Sequence, residues 1–185
     1  MALNYPVLYK SQDARADQAV ANAVATAIQD ASTIWENESF DGVFPTNGFG
    51  IKRLEKFDIC TAEVAVYTPF SNSWIMSVNA ARTWVTYIDA ILSDSCYVII
   101  TGVFEFDPTP DVTAIKMVAD GVEYPIIDLQ ETFGWDVATA YFSHPVVVRP
   151  EKRISIKLKA ETTGQKIFGF LGYVVARRSY LISTR

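Results

Sequence analysis

The sequence predicts an all-β domain, an antiparallel β-sandwich of the jelly-roll kind, carrying one N-terminal α-helix. Three observations lead there. Alternating and continuous apolar runs recur at short intervals from residue 57 onward, with turn residues between them. No helical pattern separates those runs, so a parallel βαβ arrangement has nothing from which to build its crossovers. Half of the 185 residues are apolar and 13% are aromatic, enough for one sizeable core. The expected organisation is a helix and connecting loop over 1–50, read as an assembly arm, and a sandwich over 51–185.

Residues 11–35 have the helical period: Val20, Val24, Ile28 and Ala31 share a face, with Ala23, Ala27 and Ile34 beside them. Ser11 suits an N-cap and Asp13 the first turn. A face made mostly of alanine and valine suits close packing on another surface, within the chain or on a neighbour. Residues 40–50 are turn-rich, punctuated by Pro45 and Asn47-Gly48. Residues 58–67 alternate, placing Cys60, Ala62, Val64 and Val66 together, which predicts a strand. Shorter strands are expected at 74–78 and 83–88.

Residues 95–106 (SCYVIITGVFEF) form a nearly unbroken β-branched and aromatic run, fit for a strand covered on both faces. Asp107-Pro108-Thr109-Pro110-Asp111 stops it. Runs at 112–119 and 122–127 flank Asp120-Gly121, the strongest hairpin signal in the chain. Residues 131–143 read as loop with irregular strand, and 145–149 as a brief strand. In 153–160 (RISIKLKA), Ile154, Ile156, Leu158 and Ala160 face inward, while Arg153, Ser155, Lys157 and Lys159 face water. A second buried-type run follows at 166–176, where Gly169 and Gly172 mark a bend or a close backbone approach. A last piece at 180–183 is expected to close an edge as strand.

The chemistry-bearing residues are few. His144 is the single histidine and Cys60 and Cys96 the two cysteines, too few for zinc ribbons, haem attachment or a disulfide framework. His144 precedes Pro145 at a strand edge, a structural position rather than a general base. Both cysteines sit in apolar segments and read as buried thiols. Glu105, Asp107, Asp111, Asp128 and Glu131 offer carboxylate pairs for a hydrolase, as any acidic β-protein does. The 107–111 loop clusters oxygens that suit calcium, but its prolines favour a plain rigid turn. Neither a P-loop nor a dinucleotide-binding glycine motif occurs, and no catalytic residue, cofactor or metal is expected. Trp35, Trp74, Trp84 and Trp135, together with Tyr141, could stack a sugar, with Trp74, Trp84 and Trp135 the candidates for that role, but aromatics in a sandwich more often anchor a core or an interface.

The net charge is −5, unevenly placed: residues 149–185 carry +7 and the first 148 carry −12. Opposed regions on one small domain can steer copies towards one another, unless strand packing mixes both signs over the surface, the plainer expectation. Before residue 30 only Lys10 and Arg15 are basic, so no basic arm for direct nucleic-acid binding exists. No charged start followed by an apolar run opens the sequence, and no stretch approaches a bilayer span, so synthesis inside a cell is expected.

The runs DICTAEVAVY, SCYVIITGVFEF, RISIKLKAETTG and KIFGFLGYVVARR, taken as successive sandwich strands, make residues 57–183 resemble small single-jelly-roll viral capsid and coat proteins. The resemblance is architectural. It implies a self-assembling shell subunit residing in the virion, whose partners are further copies of itself and possible contacts to another capsid protein or an inner membrane layer. Val20, Val24, Ile28, Trp35, Arg177 and Arg178 are the expected assembly residues. The alternative expectation is a carbohydrate- or receptor-binding sandwich of the trimeric fibre-tip type, using the three tryptophans.

Overall fold

The structure, a computed structural model, describes residues 8–9, 14–43, 45–59, 74–106, 110–130 and 139–183. It is a sandwich of two antiparallel sheets with an N-terminal helix laid on one of them. The first sheet contains β1 (Leu8–Tyr9), β9 (Thr139–Val148), β5 (Cys96–Glu105), β11 (Gly164–Arg177) and β2 (Phe49–Arg53), in that order. β3 (Ile75–Val78) pairs with the early part of β11. The second sheet runs β4 (Trp84–Ile91), β10 (Arg153–Ala160), β6 (Val112–Ala119), β7 (Val122–Glu123), with β8 (Ile127–Asp128) also on β6.

Between the sheets lies a core whose inward residues are those the alternation of β10 foretold: Ile154, Ile156, Leu158 and Ala160 are buried. They meet Ile88 of β4, Ile115 and Met117 of β6, and Val98, Ile100, Phe168, Phe170 and Val174 of the first sheet. Tyr87 of β4 reaches across the core, and its hydroxyl donates to the Phe168 carbonyl at 2.5 Å. That bond ties the sheets together with a partner for the buried phenol.

β5 is buried along almost its whole length because it is covered twice. On its outer face lies α1 (Ala14–Ile34), which packs over β9, β5 and β11. Ala27 and Ala31, followed by Trp35 just past the helix end, sit on Phe49, Tyr97, Ile99 and Val175. Small residues bring the helix close enough for Trp35 to fill the seam, edge-on to Phe49 and Tyr97 with ring centres 5.3 and 5.8 Å away. Ile34 points to solvent, one position off that stripe. Ser11 and Asp13 lie outside the described residues.

Several elements differ from expectation. At 58–59, the start of the expected 58–67 strand, the chain makes α2 (Lys56–Ile59); the rest of that segment, with Cys60, Ala62, Val64 and Val66, lies outside the described residues. The turn is set by Asp58, whose carboxylate accepts from the Glu55 amide at 2.8 Å and closes a capped turn that a strand would forgo. The expected terminal edge strand at 180–183 is the helix α3 (Arg178–Ser183). Arg177 is the last β11 residue paired to β2, at Phe49, and its amide takes the Ser95 carbonyl. Beyond it both neighbouring strands have ended, so the backbone closes hydrogen bonds on itself.

The brief strand expected at 145–149 is the end of the ten-residue β9, which passes through Pro145. Ile100 pairs with Val146 and Gly102 with Tyr141, leaving residues 142–145 opposite Thr101 alone. At that bulge the missing proline N–H costs no ladder bond. The Asp120-Gly121 hairpin forms with both residues at positive φ, 52° and 76°, as a type I′ turn requires.

Gly172 sits at a register shift of β11, where an added Cβ would lie 2.0 Å from the Ile99 carbonyl oxygen. Gly172→Ala is therefore expected to destabilise the domain by about 1–3 kcal/mol, read from the urea midpoint. An unchanged midpoint refutes the close-approach account of this glycine.

Candidate functional site

Three surface regions merit attention: the helix seam, the edge and outer face of the second sheet, and the aromatic corner beside β3. The seam holds most of the residues expected to face a neighbour. Val20 and Trp35 are buried, and Val24 and Ile28 are half-buried against the chain's own first sheet. The physical reason is that β5 needs an outer cover, and the alanine face of α1 supplies it. Arg177 joins them: its guanidinium lies 5.3 Å over the Trp35 ring, and its Nε is 3.1 Å from a Glu38 carboxylate oxygen. Arg178 is exposed and contributes only its amide, which donates to the Gly48 carbonyl at 2.9 Å.

Alongside the seam, α1 and the second sheet's β6–β7 end enclose an open groove of about 400 Å³. Thr26, Asp30, Asp120, Tyr124 and Arg149 give it polar walls, with Asp120 and Arg149 paired at 3.3 Å. Near it the Tyr97 hydroxyl is buried without a hydrogen-bond partner, and burial raises its pKa, with Asp30 adding to the effect.

On the second sheet, β10 and β6 present rows fixed by register. Lys157 stands directly opposite Lys116, Ser155 opposite Val118, and Lys159 between Ala114 and Trp84. Arg153 makes a two-pronged contact to Asp89, both bonds at 2.7 Å, and Lys116 pairs with Glu123 at 3.0 Å. A shallow groove of about 350 Å³ runs between these rows. β4 forms one edge of this sheet; its outward side pairs with no strand among the described residues. Trp84 and Ile91, at its two ends, are 38% and 65% exposed.

Trp74 and Trp84 do not share one platform. Trp74 is attached to the first sheet, where the Phe168 amide donates to its carbonyl, and its indole covers Gly169 beside Phe104 and Phe170. Trp84 belongs to the second sheet, and Trp135 lies outside the described residues. Sequence reasoning did not single out Phe104 and Phe106, whose rings stack 4.9 Å apart beyond Trp74 with Phe106 59% exposed. Gly169, flanked by Phe168 and Phe170, was the signal of that close aromatic packing, since a Cβ there would meet Phe104 and Trp74.

Among the carboxylates, Glu105 and Asp111 come together, but inward. One Glu105 oxygen accepts the amides of Asp111 and Val112 at 3.0 and 3.3 Å, and Asp111 is held by Lys166. Neither lines either of the two grooves described above. Asp128 is exposed on β8, and Asp107 and Glu131 lie outside the described residues. His144 is exposed, with its Nδ1 3.0 Å from the Ser143 hydroxyl. Among the described residues no three His, Cys, Asp or Glu side chains converge as metal ligands, and no helix is long and apolar enough to cross a membrane.

Cys96 is buried and free, and desolvation pushes its thiol up to about 11, which suppresses thiolate chemistry. Beside it, Asp58 accepts from the Tyr180 hydroxyl at 3.1 Å and pairs with Lys52 at 2.9 Å, anchoring α2 and α3 to β2. No known family's sequence profile matches the chain, and no curated protein is measurably similar to it.

Two measurements follow from this geometry. Trp35→Ala is expected to cost about 3–5 kcal/mol, by the same amount at every protein concentration, because the ring packs within its own chain. A loss that fades on dilution would place Trp35 between copies instead. Burial raises the Asp58 pKa above its reference of 3.8, outweighing the Lys52 contact. A carboxyl raised in the folded state favours the fold below its unfolded pKa and loses that contribution as pH climbs through the folded value. Wild type should therefore lose stability relative to Asp58→Asn as pH rises from 3.8. Urea midpoints that diverge in the opposite sense overturn this assignment.

Proposed function

We propose that this chain is a self-assembling structural protein with a jelly-roll sandwich, a shell subunit of the viral capsid or coat type. The observation that carries the reading is strand order. β2, β11, β5 and β9 face β4, β10, β6 and β7, and the chain from β4 to β6 passes from one sheet to the other and back. That double-sheet order is the one expected of two nested Greek keys, an architecture shared by capsid and lectin domains. Because fold alone does not fix function, the surface has to carry the rest.

The support there is edge strand β4. Its eight residues include no proline and no lysine, two of the devices by which sheets protect an open edge, although a register shift at Tyr87 and the charge of Asp89 remain on it. Exposed Trp84 and Ile91 flank it, and the Arg153–Asp89 pair lies beside it on the outer face. Burying this edge against another copy removes a row of unpaired backbone groups from water and covers both apolar side chains. Copies of the chain are thus the proposed partners, with the virion as the proposed location, and α1 serves to complete the subunit that is tiled.

A carbohydrate-binding sandwich is the second reading, favoured by Trp84 standing exposed next to Lys159. A blue or red shift of tryptophan fluorescence on adding glycans, lost in Trp84→Ala, supports it.

Light scattering after size exclusion, over a range of concentration and salt, tests the first reading. Masses well above the 20.6 kDa of one chain are expected, with shells or sheets in electron micrographs. Replacing Trp84 and Ile91 together by lysine should weaken association at least tenfold, about 1.4 kcal/mol or more, while changing subunit stability little. A particle that stays monomeric at high concentration refutes the assembly reading.

A further inference from the structure

The end of the sandwich holds a polar cluster that no part of the assembly reading uses. Lys166, on β11 of the first sheet, and Asp111, the residue before β6 of the second, are 55 positions apart in sequence. Their side chains meet with Nζ 2.7 Å from Oδ2, each only 9% exposed. Thr162 completes the group: its amide donates to Oδ2 at 3.1 Å, its hydroxyl donates to the same oxygen, and that hydroxyl also accepts from Nζ at 2.8 Å. Glu105 fixes the backbone at this point by accepting the Asp111 and Val112 amides.

The distribution of hydrogen bonds within the cluster is lopsided. Oδ2 takes three donors, while Oδ1 is buried and has none. A carboxylate oxygen buried without a partner is costly, and so are two charges placed together where water has little access. An amide between the two side chains removes both costs. Its carbonyl oxygen keeps the two Thr162 donors, which is all its two lone pairs accept. The orphaned oxygen is the one that departs.

We propose that Lys166 and Asp111 join through an intramolecular isopeptide bond that staples the two sheets. Nζ donates to Oδ2 in the resting pair; as it moves over Cγ it comes within reach of Oδ1 and hands it a proton, giving a neutral amine beside a neutral carboxylic acid. The Nζ lone pair attacks Cγ, and the negative charge that develops on Oδ2 is held by the Thr162 amide and hydroxyl, two donors already in place. A second proton then moves from nitrogen to Oδ1, the Cγ–Oδ1 bond breaks, and water leaves. One hydrogen remains on the amide nitrogen. The step releases one water, changes no oxidation state and uses no reagent beyond the two side chains.

The test is the intact mass of the purified full chain under denaturing conditions, followed by tryptic mapping. The expected mass is short of the sequence mass by one water. Cleavage after Lys166 should fail, and peptide 83–116 should appear joined to peptide 160–177. Lys166→Arg should restore the full mass, and Thr162→Val should leave a larger uncyclised fraction at a given time after synthesis. A wild-type mass equal to that of the sequence overturns the proposal, leaving an ordinary buried ion pair. So does a lost water that maps to Asp41-Gly42 or Asp120-Gly121, where a succinimide accounts for it.

Discussion

The structure depends on β5 being covered on both faces. Its inward residues Val98, Ile100 and Val103 help fill the space between the sheets, while Tyr97 and Ile99 look the other way. A strand of that composition has no face suited to water, so the sandwich alone leaves half of it unsatisfied. α1 resolves this by lying across the outer face, and Trp35 closes the gap at the helix end with its indole N–H on the Asp94 carbonyl at 3.3 Å. Arg177 caps the indole from above and is itself held by Glu38. The helix is thus a third layer of the subunit.

That arrangement changes which surface is left for partners. A helix face that looked short of apolar area turns out to be matched to a groove of its own chain. The free surfaces are elsewhere: the open side of β4, the charged rows of β10 and β6, and the aromatic corner of Phe104 and Phe106. Polar clusters lie at the places where elements must stop. Asp58, Lys52 and Tyr180 fasten the short helices that follow strand ends, and Asp111, Thr162 and Lys166 close one end of the sandwich. Charged groups of this kind seldom add much net stability, but they fix which pieces meet.

Much of the fold was legible because its signals are local. Alternation along 153–160 gave both the strand and its buried face, the unbroken run at 95–106 gave a doubly covered strand, and Asp120-Gly121 gave a type I′ hairpin. Gly172 was readable as a close approach. The misreadings fell on short segments. At 58–59 one carboxylate accepting the Glu55 amide outweighed an alternating pattern, and at 178–183 the absence of a strand to pair with made helix the cheaper way to satisfy the backbone. For the candidate surfaces, residue type named Trp84 as a stacking candidate and Trp35 as an assembly contact but carried no burial, and the structure buries Trp35 at 2% while leaving Trp84 38% exposed.

By itself the sequence determined the strand-rich class, the inward face of the strand at 153–160, the main hairpin and the scarcity of histidine and cysteine. Those properties rest on interactions a few residues apart, which periodicity records. Only the tertiary structure decided the strand order, the docking of α1 on its own sheet, the unpaired edge at β4 and the meeting of Lys166 with Asp111 from 55 positions away. Such contacts arise because two distant segments must share one core, and a linear pattern carries no term for which surfaces will find each other.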